Sequence, residues 1–228
     1  MVSKTELTAS EEMCIHCFNI IIQDLLQHPT VLDPSLLDAI SPETECPLFV
    51  TWDKKHHSDY RLRGCIGTLA PRPLKKSIGD YAATSAFRDH RFKPIEVSEV
   101  CDLRVGVSLL VNYETCLDCF DWEVGVHGII IKFYFGGSHF NGTFLPEVSE
   151  QQGWVQQETI AKLVHKAGYQ GVISNDLLVA INCTRYQSSK QRMDYIEYKN
   201  TVGKDPIGEA LSDGSIHKGW NGLFHNRK

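Results

Sequence analysis

The sequence predicts an α+β fold, with a mainly antiparallel sheet, flanking helices and two unequal subdomains. Three observations carry the class. Helical and extended segments are interleaved without the regular strand–helix alternation of a doubly wound parallel sheet. Two strand pairs are joined by polar or glycine-rich loops in the manner of hairpins, residues 48–52 with 60–69 and residues 129–135 with 143–145. Residues 103–111 alternate strictly, with Leu103, Val105, Val107, Leu109 and Val111 on one face and Arg104, Gly106 and Ser108 on the other. That pattern marks a strand with one buried face.

Residues 1–9 are polar and read as a flexible N-terminus. Thr8 with Glu11, or Ser10, starts a helix in which Met13, Cys14, Cys17, Phe18, Ile21, Ile22, Leu25 and Leu26 recur at helical spacing, ending near His28-Pro29. Asp33-Pro34 suits the start of a second, short helix. After the first hairpin, Pro73 opens a helix with Leu74, Ile78, Tyr81, Ala82 and Ser85 on one face, reaching about Phe87. Lys93-Pro94 then imposes an extended exit. Residues 112–122 read as irregular, and Gly125 to Gly128 as a turn. Pro146 starts a short helix closed by Gly153, and residues 157–166 form a further helix with Gly168 as its C-cap. Residues 178–187 are the last strand. From about residue 200 periodicity is lost, so 200–228 reads as a flexible tail after one domain spanning 10–198.

Composition narrows the function classes. A length of 228 residues is enough for one large domain or two small subdomains sharing a core. A hydrophobic fraction of 42% fits a globular protein, and a formal charge of −5 with dispersed Lys and Arg argues against nucleic-acid binding. Neither an N-terminal apolar leader nor a run long enough to span a membrane is present. The expected location is the cytoplasm, the nucleus or both, with no membrane partner. In that setting the eight cysteines are expected to be reduced, and most of them to be small core residues.

Four constellations could carry chemistry. In Leu62-Arg-Gly-Cys-Ile-Gly-Thr68, strand alternation puts Arg63 and Cys65 on one face. A guanidinium there would favour thiolate, and the flanking glycines leave room for a ligand. The alternative is glycine for packing and a buried thiol. In Asp121-Trp-Glu-Val-Gly-Val-His-Gly128, His127 could serve Cys65 as a base, or simply belong to a turn. Asp89 and Arg91 could pair with each other, orient a base or hold an anion. The pairs Cys14/Cys17 and Cys116/Cys119 outline a zinc site, but they lie far apart in sequence and lack the glycine knuckle, so no metal is assigned. Phosphate-loop spacings are absent, and no cofactor is expected.

Four motifs, in this order, resemble the AMMECR family: Leu62–Thr68, Thr84-Ser-Ala-Phe-Arg-Asp89 with Arg91-Phe92, Asp121–Gly128, and Leu145-Pro-Glu-Val148 with Gln152-Gly-Trp154. The sequence looks like a eukaryotic member over nearly all of residues 10–198. The resemblance implies an α+β fold of two unequal subdomains with a cleft between or beside them. It brings no settled activity. Prokaryotic relatives occur beside or fused to Memo-like and radical-SAM proteins, an association that points toward enzymatic or redox chemistry. It also makes Arg63, Cys65, Asp89, Arg91, His127 and Glu147 the site candidates, since all sit in matched signatures.

Two functional readings therefore stand. In the first, a cleft around Cys65 binds a small anionic ligand or a peptide. If it is catalytic, Cys65 is the nucleophile or redox thiol and His127 the base; Arg63 and Arg91 hold the anion, and Asp89 or Glu147 orients. In the second, the protein is a non-catalytic adaptor, the Leu-Arg-Gly-Cys-Ile-Gly motif is structural, and function lies in a partner surface. Whether it is an enzyme, which small molecule or protein it meets, and its oligomeric state are left open by the residues alone.

Overall fold

The structure, a computed structural model, describes residues 7–27 and 35–212. The element order is α1 (Glu11–Leu26), β1 (Glu45–His56), β2 (Asp59–Pro73), α2 (Leu74–Phe87), a 3-10 helix (Val97–Asp102), β3 (Leu103–Thr115), β4 (Gly128–Phe135), β5 (Ser138–Phe144), α3 (Pro146–Gln152), α4 (Gln156–Lys166), α5 (Asn175–Ala180), β6 (Asn182–Asp194), α6 (Tyr195–Val202) and α7 (Pro206–Ser212). The fold is α+β, with a six-stranded sheet in the order β2-β1-β3-β6-β4-β5. The pairs β1–β2, β4–β5 and β4–β6 are antiparallel. No helix among the described residues is long and apolar enough to cross a membrane.

The chain forms two compact units. One, here the Cys65 unit, is built on the described residues of Ala9–Ser108 and on 190–212. The other, the His127 unit, is built on Leu109–Ser189. Long strands β3 and β6 contribute residues to both.

In the Cys65 unit, the apolar stripe of α1 buries Met13, Cys14, Cys17, Phe18, Ile21 and Ile22. Phe18 is the hub. Its ring meets Trp52 edge-on at 5.2 Å, Tyr195 at 5.9 Å and Tyr198 at 4.9 Å. The polar tips of this cluster are satisfied: Trp52 Nε1–H donates to Ala82 O at 3.1 Å and Tyr198 O–H to Asn19 Oδ1 at 2.7 Å. Burying an aromatic body while its polar tip finds a partner is what makes such residues stabilising in a core.

The His127 unit has its own core, in which Ile129, Ile131 and Phe133 of β4 meet Ile160, Leu163 and Val164 of α4 and Leu177 of α5. Gly128 begins β4 where a Cβ would fall 2.4 Å from the Tyr186 ring, so only glycine fits. The Tyr186 hydroxyl donates to Phe144 O at 3.1 Å, tying β6 to β5 through its side chain.

Several boundaries differ from expectation. The helix expected from Asp33-Pro34 falls partly outside the described residues, and the turns that succeed it bury Leu37 and Ile40. Residues 178–187 are divided: α5 runs to Ala180, capped by Ser174 Oγ accepting from Leu177 N at 3.3 Å, and β6 begins only at Asn182. Order does not end near residue 200. Asp194 caps α6, accepting from Glu197 N at 2.9 Å, while Glu197 accepts from Asp194 N at 2.8 Å, and Gly203 closes the helix in the left-handed region. Helix α7 then buries Ile207 and Ala210. The reciprocal Asp-x-x-Glu cap is a helix start signal that the weak apolar periodicity beyond it obscured. Residues 213–228 lie outside the described residues.

Candidate functional site

The motif strand β2 lies at an end of the sheet order, so one side of it has no strand partner. Its register against β1 pairs Thr51 with Cys65 and Trp52 with Gly64, then Asp53 with Leu62. Arg63 is the extra residue of a β-bulge. A bulge re-aims a side chain and increases the local twist, and Arg63 is used in this way. Its guanidinium takes Glu99 in a two-pronged pair, Nε to Oε1 at 3.0 Å and an Nη to Oε2 at 2.9 Å. It also donates to Lys93 O at 2.7 Å and Pro94 O at 3.2 Å. Lys54 adds a second cation on Glu99 at 3.0 Å. Burial alone would raise the Glu99 carboxyl, but its hydrogen bonds from Arg63, Glu96 N–H and Lys54 bring it down to about 2. Expected as an anion holder, Arg63 is occupied by the protein's own carboxylate and by the segment after α2.

Cys65 is held through its backbone. Its N–H donates to Asp89 Oδ2 at 2.9 Å, and its carbonyl accepts from an Arg91 Nη at 3.0 Å. In an antiparallel strand both peptide groups of one residue face the same side. Both groups of Cys65 therefore face away from β1, and the Asp89–Arg91 pair meets them as a neighbouring strand would. Asp89, only 6% exposed, is clasped by Arg91 through Nε to Oδ1 at 3.0 Å and Nη to Oδ2 at 2.7 Å, and it also accepts Arg91 N–H at 3.2 Å. These Arg91 bonds, reinforced by the Cys65 N–H, hold the Asp89 carboxyl well below the usual carboxylate range.

The thiol itself is half-buried, and Thr51 Oγ1 approaches Cys65 Sγ at 3.2 Å. Burial pushes the thiol pKa up; the Thr51 hydrogen bond and the Arg91 charge oppose this without reversing it. The thiolate expected from the neighbouring arginine is thus disfavoured, because Arg63 points at Glu99 and Arg91 is neutralised by Asp89. The two glycines are packing positions: a Cβ on Gly64 would stand 2.1 Å from Ser85 O of α2, and one on Gly67 would stand 2.2 Å from Leu48 O.

His127 and Glu147 belong to the other unit. The imidazole is engaged in its own turn, with Nδ1 accepting from Glu123 N–H at 3.1 Å. Asp121 of the same motif is bound by Arg185 of β6 at 2.8 Å, and Arg185 also reaches Glu114 at 2.8 Å. Glu147 lies in the first turn of α3; burial raises the Tyr186 phenol, and the Glu147 charge adds to that rise. The structure therefore brings Arg63, Cys65, Asp89 and Arg91 together in one unit. It places His127 and Glu147 in the second unit, with Asp121 and Arg185. Among the described residues no group of three or more His, Cys, Asp or Glu is arranged to hold a metal.

Sequence reasoning missed Glu99, Thr51 and Arg185. Glu99 had a local signal: Glu96 and Glu99 stand at capping-box spacing before a strand, and Glu96 N–H does donate to Glu99 Oε2 at 3.0 Å. Thr51 and Arg185 had none, since only strand register places them.

Fold and motifs define an α+β protein with a tied-down glycine–cysteine strand. The AMMECR1 family model matches residues 14–191, and the chain belongs to that family. An uncharacterized protein of Arabidopsis thaliana is 44% identical over 86% of this chain and 90% of its own length. One of Schizosaccharomyces pombe is 40% identical over 84% and 96%, respectively. Among solved structures, an uncharacterized protein of Pyrococcus horikoshii has a TM-score of 0.58 at 24% identity, covering 81% of this chain and 91% of that one, a likeness of fold.

Proposed function

We propose that the chain is a non-catalytic protein-interaction module in which the Leu62–Thr68 motif builds and closes a sheet edge, and that its partner is an extended peptide laid along the continuation of β2. The observation that carries this is the double bond of the Asp89–Arg91 pair to the Cys65 peptide groups. A thiol enzyme or an anion site at this place needs a free cation and an accessible thiolate. Here each guanidinium is already paired with a carboxylate, and the thiol is pushed toward its neutral form.

The same arrangement favours a peptide over a small anion. By alternation, the peptide groups of Gly67 face the same way as those of Cys65. No side chain among the described residues hydrogen-bonds them, and Leu69 just beyond is 41% exposed. Strand addition at a sheet edge draws affinity from such main-chain groups. Pro71 and Pro73 limit the open stretch, as prolines do at managed edges.

The test uses peptides selected against the protein from a displayed library. Binding is expected to shift the Gly67 amide in NMR spectra, to survive Cys65→Ser, and to weaken at least tenfold in Leu69→Lys. If Cys65→Ser folds normally but abolishes binding, the thiol itself is the ligand-contacting group and the adaptor reading fails.

A further inference from the structure

The His127 unit carries a thiol cluster that plays no part in peptide binding at β2. Cys116 comes directly after β3, and its N–H donates to Cys183 O of β6 at 3.0 Å. Along the same two strands, Asn112 Nδ2 meets Gln187 Oε1 at 2.7 Å. The residue numbers fall on one strand as they rise on the other, so the strands run antiparallel there and Cys116 stands opposite Cys183. Opposed residues of an antiparallel pair have side chains on the same face and Cα atoms about 4.5–5.5 Å apart; the single Cys116 N–H to Cys183 O bond continues that register one residue past the end of β3. That separation lies within the range a disulfide spans. The Cys116 and Cys183 side chains are near enough to perturb one another, Cys119 also acts on Cys183, and burial raises all three thiols.

Access differs between them. Cys183 is 3% exposed and Cys119 2%, whereas Cys116 is only partly buried. A redox pair needs one sulfur that an oxidant can reach and a second sheltered beside it to resolve the product; burial raises the Cys116 thiol, so its thiolate is a minor species and the oxidation is slow rather than that of an activated nucleophile.

We propose that Cys116 and Cys183 are a peroxide-oxidisable dithiol that closes to a reversible disulfide. The Cys116 thiolate attacks one oxygen of hydrogen peroxide, the O–O bond breaks, and hydroxide leaves and takes up a proton as water. The Cys183 sulfur then displaces the hydroxyl of the Cys116 sulfenic acid, forming the S–S bond, and the second oxygen leaves as water with the Cys183 proton. Two thiols and one peroxide give one disulfide and two waters. The consequence is local. Cys183 O and Arg185 already anchor the two ends of the segment that runs from Cys116 to the Asp121–Gly128 motif, Arg185 through Asp121. A covalent bond would lock that anchorage and stiffen the approach to His127.

The experiment is graded oxidation of the whole protein with hydrogen peroxide, quenching by alkylation, and peptide mapping by mass spectrometry without reduction. Cys101, which is exposed, is the internal control for oxidant dose. The expected result is a linked Cys116–Cys183 peptide at doses that oxidise Cys101, reversed by dithiothreitol, with slower amide exchange in residues 117–127. In Cys183→Ser, Cys116 should instead accumulate as sulfenic acid trapped by dimedone. The proposal is overturned if Cys101 is oxidised while Cys116 and Cys183 both stay alkylatable, or if Cys116 links to Cys119. The wild-type map decides between these outcomes even if a variant does not fold.

Discussion

At the scale of single residues, this protein places its motif thiol, Cys65, where little activates it. Asp89 and Arg91 act on the Cys65 backbone rather than on its sulfur, and Arg63 serves Glu99. Asp89→Asn keeps an oxygen acceptor but loses the charge that holds Arg91. It is expected to lower stability by about 1–3 kcal/mol, measured as a shift in urea midpoint at unchanged slope. Glu99 sets a pH dependence. Its folded pKa, about 2, lies below the roughly 4.3 of an unfolded glutamate, so the carboxylate's contribution is complete above the unfolded value and is lost as pH falls through the folded one. Stability measured between about pH 4.3 and 2 should therefore fall less steeply in Glu99→Gln than in the wild type. Equal slopes would mean that the Arg63–Glu99 pair is not formed. Alkylation of Cys65 should show a midpoint above the ordinary thiol value of about 8.5; a midpoint below that value would restore the nucleophile reading.

At the scale of elements, the glycines of β2 decide what can pack on it. Gly64 lets Ser85 of α2 approach the strand, and Gly67 lets β1 do so; in both places a Cβ would meet backbone oxygen, which cannot rotate away. Gly64→Ala and Gly67→Ala should each cost about 1–3 kcal/mol or more through forced backbone shifts. Gly106→Ala on β3 is the control. Its Cβ would meet nothing nearer than the Arg192 side chain at 3.5 Å, an ordinary contact, so its effect on melting temperature should be small. A Gly64→Ala protein as stable as Gly106→Ala would mean that α2 does not sit on the motif strand.

At the scale of the molecule, the Cys65 unit is assembled from both ends of the described chain. Tyr198 bonds Asn19 across 179 residues, and Cys14 donates to Gln191 O across 177. The family match stops at residue 191, yet Tyr195, Tyr198 and Ile207 beyond it are buried in this unit. A chain ending at Asp194 would lose those side chains, each worth about 1.5–3 kcal/mol when fully buried. The sum is comparable to the whole stability of an ordinary domain. Such a chain is expected to lose the cooperative thermal transition of the Cys65 unit, seen by the fluorescence of Trp52. A sharp transition at the original temperature would show α6 and α7 to be dispensable.

The sequence alone determined what depends on neighbours along the chain. The periodicity of α1 and α2, the alternation of β3, the β4 run, the proline starts of α2 and α3 and the family motifs all arise from residues within a turn or a pleat of one another, and α+β was legible from their order. Tertiary structure decided what depends on register and on chain ends. One extra residue, Arg63, turned a face shared with Cys65 into a bulge aimed at Glu99. Strand pairing placed Thr51 against the thiol and Cys116 against Cys183. Docking on Phe18 ordered α6, whose own apolar pattern was too weak to announce it. Strand alternation put Cys65 on a face, but Thr51 reaches its sulfur, Asp89 and Arg91 its backbone, and Glu99 the bulged Arg63, and no local pattern encodes which of them arrives where.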